Sequence, residues 1–146
     1  MRRLFVLVVT ALALLGSTAI ASAATTRYSD FTTAGRGNAG YATGVLAVTW
    51  NSASSASVGV SLTDVCPQNG YGVYMHLRLR TSSGDWYGGG TAYNSNGCNT
   101  TSSGGVWWPT SYGRLSHIDG RMCEEDHNGS LPDICTAWQE IDNPYT

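Results

Sequence analysis

The clearest alternation of apolar and polar positions in the chain lies at residues 71–93, YGVYMHLRLRTSSGDWYGGGTAY. Val73, Met75, Leu77 and Leu79 fall on one face of an extended strand, and Tyr74, His76, Arg78 and Arg80 on the other. The Thr/Ser/Gly stretch 81–84 predicts a turn, with Asp85 and Trp86 opening a second strand. Setting Arg80 opposite Asp85 predicts Leu79 against Trp86 in the core, and Arg78 beside Tyr87 on the outer face. Gly88, Gly89 and Gly90 then fall opposite Leu77, His76 and Met75, which predicts a bulge or a close backbone approach.

Period-two patterning recurs on both sides of this hairpin. Leu46, Val48 and Trp50 share a face of a strand over 41–50, and Val58, Val60 and Leu62 share one over 57–66. The small polar stretch between them makes the pair a second hairpin, and Pro67-Gln68-Asn69-Gly70 predicts the turn that follows. Residues 94–105, rich in Ser, Asn, Gly and Thr, read as a long loop pinned by Cys98. Val106-Trp107-Trp108-Pro109 fits an edge strand or a crossing loop, because proline cannot donate to a ladder.

Residues 114–124 predict a further strand, with Ile118, Gly120 and Met122 facing one way and His117, Asp119, Arg121 and Cys123 the other. Residues 131–141 fit helical spacing, with Ser130 and Asp133 as a capping box, but also fit a strand. The strand reading sets Cys123 against Cys135 and lays Trp138 over Gly120 on the apolar face, and it agrees with the rest of the chain. Residues 24–40 read as an extended lead-in with room for one edge strand. Six or seven short strands without a strong helix predict a small disulfide-bonded antiparallel β-sandwich, or a flattened barrel, over residues 41–146.

The first 23 residues read as a cleaved signal peptide: Arg2 and Arg3, an apolar run over 4–15, then Ala21-Ser22-Ala23. The run is shorter than the ~20 residues of a membrane span, so a secreted product without a stable membrane anchor is expected. Past residue 23, six arginines face ten acidic residues, a formal charge of −4, and no lysine occurs. That balance argues against nucleic acid or anionic membrane as a partner. Cys66, Cys98, Cys123 and Cys135 predict two disulfides in an exported domain of this size. Of three connectivities, the local one, Cys66–Cys98 with Cys123–Cys135, crosses the least chain.

Four constellations carry candidate chemistry. Glu124-Glu125-Asp126-His127 with Asp133 could hold Ca²⁺ or supply an acid and a base, or else form a solvated hairpin tip. His76, Arg78, Arg80 and Tyr87 could cradle an anionic group, or leave Arg80 paired with Asp85 on a solvent face. His117 and Asp119 lack a nucleophile, because strict alternation turns Ser116 to the opposite face, and no G-x-S-x-G, H-E-x-x-H, Walker or dinucleotide motif occurs. The aromatics could stack on sugar rings, with Trp107-Trp108 the best surface pair. The candidate ligand-facing residues are therefore His76, Arg78, Tyr87, Trp107 and Trp108, with no catalytic, cofactor or metal residues expected.

These readings predict a secreted, non-catalytic extracellular binding or interaction module for a glycan or a protein surface. The alternative is a secreted inhibitor or toxin-like effector that inserts the 94–105 loop or the 124–133 tip into a partner. A small hydrolase using that tip is the third reading.

Overall fold

A computed structural model of the chain describes residues 24–35, 40–65, 71–108, 110–126 and 132–146, with the backbone alone at 71, 106–108, 110 and 126. The proposed signal segment, Cys66, the turn expected at 67–70 and residues 127–131 of the acidic tip lie outside the described residues. Among the described residues, nine strands form two antiparallel sheets. One sheet has the order β1-β2-β3-β6, from β1 (Thr25–Thr32), β2 (Tyr41–Ser52), β3 (Ser55–Val65) and β6 (Thr101–Trp108). The other runs β5-β4-β7, from β5 (Trp86–Asn94), β4 (Tyr71–Thr81) and β7 (Leu115–Asp126). The far edge of β7 is shared by β8 (Ile134–Cys135) and β9 (Gln139–Asp142). This is the antiparallel sandwich that the strand pattern predicts, and residues 131–141 contribute strands rather than a helix.

The inward rows are those of the alternation. Leu46, Val48 and Trp50 from β2 and Val58, Val60 and Leu62 from β3 meet Val73, Met75, Leu77 and Leu79 from β4 and Ile118 and Met122 from β7. Packing between the sheets is tight where two glycines face the opposite sheet. A Cβ on Gly44 would lie 2.7 Å from Met122 Sδ, and one on Gly120 would lie 2.8 Å from Leu46 Cδ2. Those glycines let the sheets approach, so large side chains of each interdigitate.

The lead-in holds the edge strand it had room for, and one expected loop is a strand. The lead-in carries β1, which pairs with β2 along its whole length and buries Phe31. The polar stretch before Val106 forms most of β6, because β3 offers it an open edge. Thr63 and Thr101 hydroxyls meet at 2.8 Å across that pair, and only residues 95–100 remain as loop. Asn94, buried, fastens that loop by donating to Leu62 O and Thr100 O at 3.0 and 2.8 Å.

Register is where the sequence reading fails. The turn holds Asp85 rather than releasing it into the strand, since Thr81 N donates to Asp85 O at 3.0 Å. Arg80 therefore faces Trp86, and Leu79 faces Tyr87, one residue from the predicted register. The expected bulge forms at Gly89, which has no partner between the Leu77–Gly90 and Arg78–Gly88 pairs, and Gly90 adopts the left-handed φ of 92°. A one-residue slip turns every side chain over. Trp86, predicted in the core, stands 44% exposed on the outer face, and Tyr87 turns away from Arg78.

A second slip separates β8 from β9. Cys123 pairs with Cys135 as predicted, and a disulfide joins them. The Thr136 hydroxyl accepts from Met122 N, and by Gln139 the register has moved one residue, pairing Gln139 with Gly120. Trp138 is thereby outside, not over Gly120. The two long sides of the sandwich also differ. Between β1 and β9, Ser29 donates to Gln139, whose amide donates to Asp30 O at 2.9 Å. Between β5 and β6 the sheets leave an open mouth.

Candidate functional site

The outer face of the five-stranded sheet gathers most of the polar and aromatic side chains singled out above. Alternation along β4 sends Tyr74, His76, Arg78 and Arg80 outward, and β7 adds His117, Asp119 and Arg121 beside them. Arg78 is the centre. Its Nε and Nη2 both donate to Asp119 Oδ2, at 2.9 and 2.8 Å, and its guanidinium lies 4.0 Å from the ring centres of both Trp86 and Trp138. Arg121 extends the stack over Trp138 at 4.9 Å, and Arg80 approaches Trp86 at 5.3 Å. Alternating cations and indoles hold one another rigid, because each charge rests on a ring face.

The predicted Arg78–Tyr87 contact is therefore replaced by Arg78 between two tryptophans, and Tyr87 packs on Tyr112 at 4.8 Å. Arg80 does not pair with Asp85, whose carboxylate accepts from Ser83 Oγ at 2.7 Å. His76 stays outward as expected, its Nδ1 2.9 Å from Thr91 Oγ1 and its ring 4.9 Å from Tyr74. Tyr74 donates to Asp133 Oδ2 at 2.5 Å. Burial first, then that bond, holds its phenol well above the usual tyrosine range. Trp107 and Trp108 lie at the end of β6, and their side chains lie outside the described residues. His76 and Arg78 thus share one face, while Tyr87 does not join them.

His117 and Asp119 also lie on this face but are not solvent-facing. Both are buried, His117 beneath the edge of Trp86 with ring centres 5.2 Å apart. A bulge in β7 leaves Ser116 unpaired between the Arg80–His117 and Thr81–Leu115 pairs, and this turns Ser116 to the side of His117. Its Oγ lies 3.3 Å from His117 Nδ1, a proximity that strict alternation excluded. The hydroxyl is also within donating distance of the carbonyls of Arg80 and Thr81, at 3.1 and 3.3 Å, which compete with the imidazole for its proton. Glu140 and Asp142 stand next to His117 on β9, with His117 Nδ1 3.5 Å from Glu140 Oε1. Burial, a hydrogen bond with Asp142 and the nearby acids raise the Glu140 carboxyl above its ordinary range, against the opposing pull of His117.

Glu124 does not belong to the solvated tip expected, although Asp133 is exposed. Glu124 continues the inward row of Ile118, Gly120 and Met122, is only 2% exposed, and accepts from the Thr33 hydroxyl. Its period-two position was the signal for this. His127 lies outside the described residues, and of Asp126 only the backbone is described. Cys98 is disulfide-bonded, but Cys66 is not among the described residues.

The open mouth between β5 and β6 is the feature that sequence reasoning missed. A cleft of about 230 Å³ opens there. Val60, Leu62 and Ala92 floor it, and Ser102 shares the inward row with Leu62. Thr91, Tyr93 and Ser103 line its rim with their side chains turned to the outer faces, where the Thr91 hydroxyl meets His76 and the Ser103 hydroxyl meets Ser61. Tyr93 is 58% exposed and leans on Tyr74 with ring centres 5.7 Å apart. Gly104 and Gly105 complete the β6 wall, and a Cβ on Gly104 would meet nothing within 4 Å. The signal lay in β6, whose first five residues, Thr101 to Gly105, are all small. No protein-family model, curated protein or solved structure matches this chain.

Proposed function

We propose that the protein is a secreted, non-catalytic binding module that takes a sugar residue of an extracellular glycan in the mouth between β5 and β6. The cleft carries this reading. Its floor is apolar, Ser102 adds a hydroxyl on the inward row, and one exposed tyrosine stands at its edge. A pyranose has the matching form, an apolar ring face with hydroxyls at its periphery. At about 230 Å³ the space falls below the ~300–1,000 Å³ of drug-sized pockets, which suits a single ring of a longer chain. The rigid cation–indole face continues from Tyr93 through Tyr74 and His76, and offers further contacts to neighbouring sugars. Competition from two backbone carbonyls for the Ser116 proton supports binding rather than hydrolysis at this face. Export is supported by the sequence of residues 1–23 and by the Cys123–Cys135 bridge, a bond favoured in oxidising compartments. The mature N-terminus is Ala24 in this reading, which intact mass of the exported protein measures.

A glycan array and a cell-wall pull-down test the ligand class. Tyr93→Ala and Gly104→Val should each weaken binding at least tenfold with the circular dichroism and melting unchanged, since both sites are open. Binding that ignores both substitutions rejects the cleft. Failure to retain any glycan while a protein is captured at the same residues rejects the ligand class.

A further inference from the structure

We infer that His117, Glu140 and Asp142 form a binding site for a divalent transition-metal ion of the zinc class, separate from the cleft and independent of the glycan reading. One ligand atom from each lies within 4.8 Å of the others. Zinc–nitrogen and zinc–oxygen bonds of about 2.0–2.2 Å place tetrahedral ligand atoms about 3.3 Å apart. His117 Nδ1 and Glu140 Oε1 already stand at 3.5 Å. The Glu140 side chain is 54% exposed and Asp142 is exposed, so rotation of two surface carboxylates completes the triad. One imidazole with two carboxylates suits zinc and its neighbours better than calcium, which prefers six to eight oxygens.

A second observation points the same way from the buried side. His117 Nε2 and Asp119 Oδ1, both buried, have no hydrogen-bond partner and face each other at 3.7 Å. The two Arg78 bonds go to Asp119 Oδ2, which leaves Oδ1 turned toward the imidazole. An ion on Nδ1 takes that lone pair and fixes the proton on Nε2. The Nε2–H then faces Asp119 Oδ1 across 3.7 Å, and a small approach of the two forms the carboxylate–histidine–metal relay common around bound metals. The ion thus favours a bond between two buried groups that otherwise make none. Three protein ligands at a surface leave a further coordination position for water or ligand.

The test titrates the full folded protein, stripped with a chelator, with Zn²⁺ by calorimetry. One equivalent should bind in the micromolar range. Glu140→Gln and Asp142→Asn, both at exposed positions, should each weaken it at least tenfold while melting without Zn²⁺ stays the same. Imidazole nitrogen shifts give a separate readout: Zn²⁺ should move His117 alone to the Nε2–H tautomer and leave His76 unchanged. Absence of binding at millimolar Zn²⁺ overturns the inference, as does affinity unaltered in Glu140→Gln. A His117 ring that stays doubly protonated with Zn²⁺ present also overturns it, since an imidazolium between carboxylates then accounts for the geometry.

Discussion

Two arginines one turn of the pleat apart have different consequences when removed. Arg78 is the partner of a buried carboxylate and fills the gap between two indoles, whereas Arg80 touches only the far side of Trp86. Arg78→Ala leaves Asp119 buried and unpaired, which costs 3–5 kcal/mol at a fully buried site. Arg78 itself is 34% exposed, and water re-entering the gap reduces the loss to about 2–3 kcal/mol. Arg80→Ala should cost under about 1 kcal/mol, the range of an exposed cation–ring contact. Urea unfolding of both variants measures the difference, and equal costs would mean the stack contributes nothing special. Asp64 ends the inward row of β3 and is buried, and burial raises its carboxyl above the ordinary 3.8. A carboxyl raised in the folded state stabilises most below its unfolded pKa, and loses that contribution as pH rises through the folded value. Asp64→Asn should therefore be more stable than the parent at pH 7. The advantage should shrink as pH falls and vanish below about pH 4, near the unfolded aspartate value. Paired unfolding curves at pH 7 and about pH 3 check it, and an advantage that persists in acid would refute the burial account.

Elements whose two faces differ were legible; their registers were not. β4 and β7 announced their inward rows because apolar residues at period two have no other stable arrangement in a sandwich, and the Cys123–Cys135 pair followed from that face assignment. Trp86 and Trp138 were misplaced because each follows a slip of one residue, set by Thr81 bonding within its turn and Thr136 bonding to Met122. Such slips depend on local hydroxyl and backbone geometry, which the apolar pattern does not encode. The site suffered most: Arg78 was recognised, but its two rings and the acids beside His117 were not. Gly120, by contrast, was placed correctly inward, and its consequence is measurable. A Cβ there would meet Leu46 Cδ2, Phe31 Cζ and Met75 Sδ at 2.8, 3.1 and 3.3 Å. Gly120→Ala should cost about 1–3 kcal/mol, the range for overpacking a dense core. Gly59, on the outer face of β3, meets only Ala47 Cβ at 3.9 Å. Gly59→Ala should be neutral or slightly stabilising, because alanine loses less backbone entropy on folding. Melting temperatures of the two variants report directly on which glycine holds the sheets together.

For the whole molecule, the asymmetry of the two long sides should govern how the sandwich opens. β2, β3, β4 and β7 each have neighbours on both sides, and their inward side chains form most of the core. Their amides should exchange with solvent only through global unfolding. The edge strands fall into two classes. β1 buries Phe31 and is joined to β9 through Ser29, Asp30 and Gln139, so its opening must break contacts across both sheets. β5 carries an unpaired residue at Gly89, and β6 presents Ser102, Ser103, Gly104 and Gly105 to an open cleft. The side chains of β5 are mostly exposed or half-buried, and those of β6 from Thr101 to Gly105 are small, so both should detach at a free energy well below the global one. Hydrogen exchange followed by mass spectrometry should accordingly find peptides from β5 and β6 labelling first and β1 distinctly later, although all three are edges. If β1 labels as fast as β6, the Ser29–Gln139 bonds do not close that side. The same measurement also reads function at this scale. A ligand seated in the mouth bridges β5 to β6, and should slow exchange in those two strands while leaving β1 and β9 unchanged. Protection confined to β7 and β9 on adding glycan would place the ligand on the far side of the molecule.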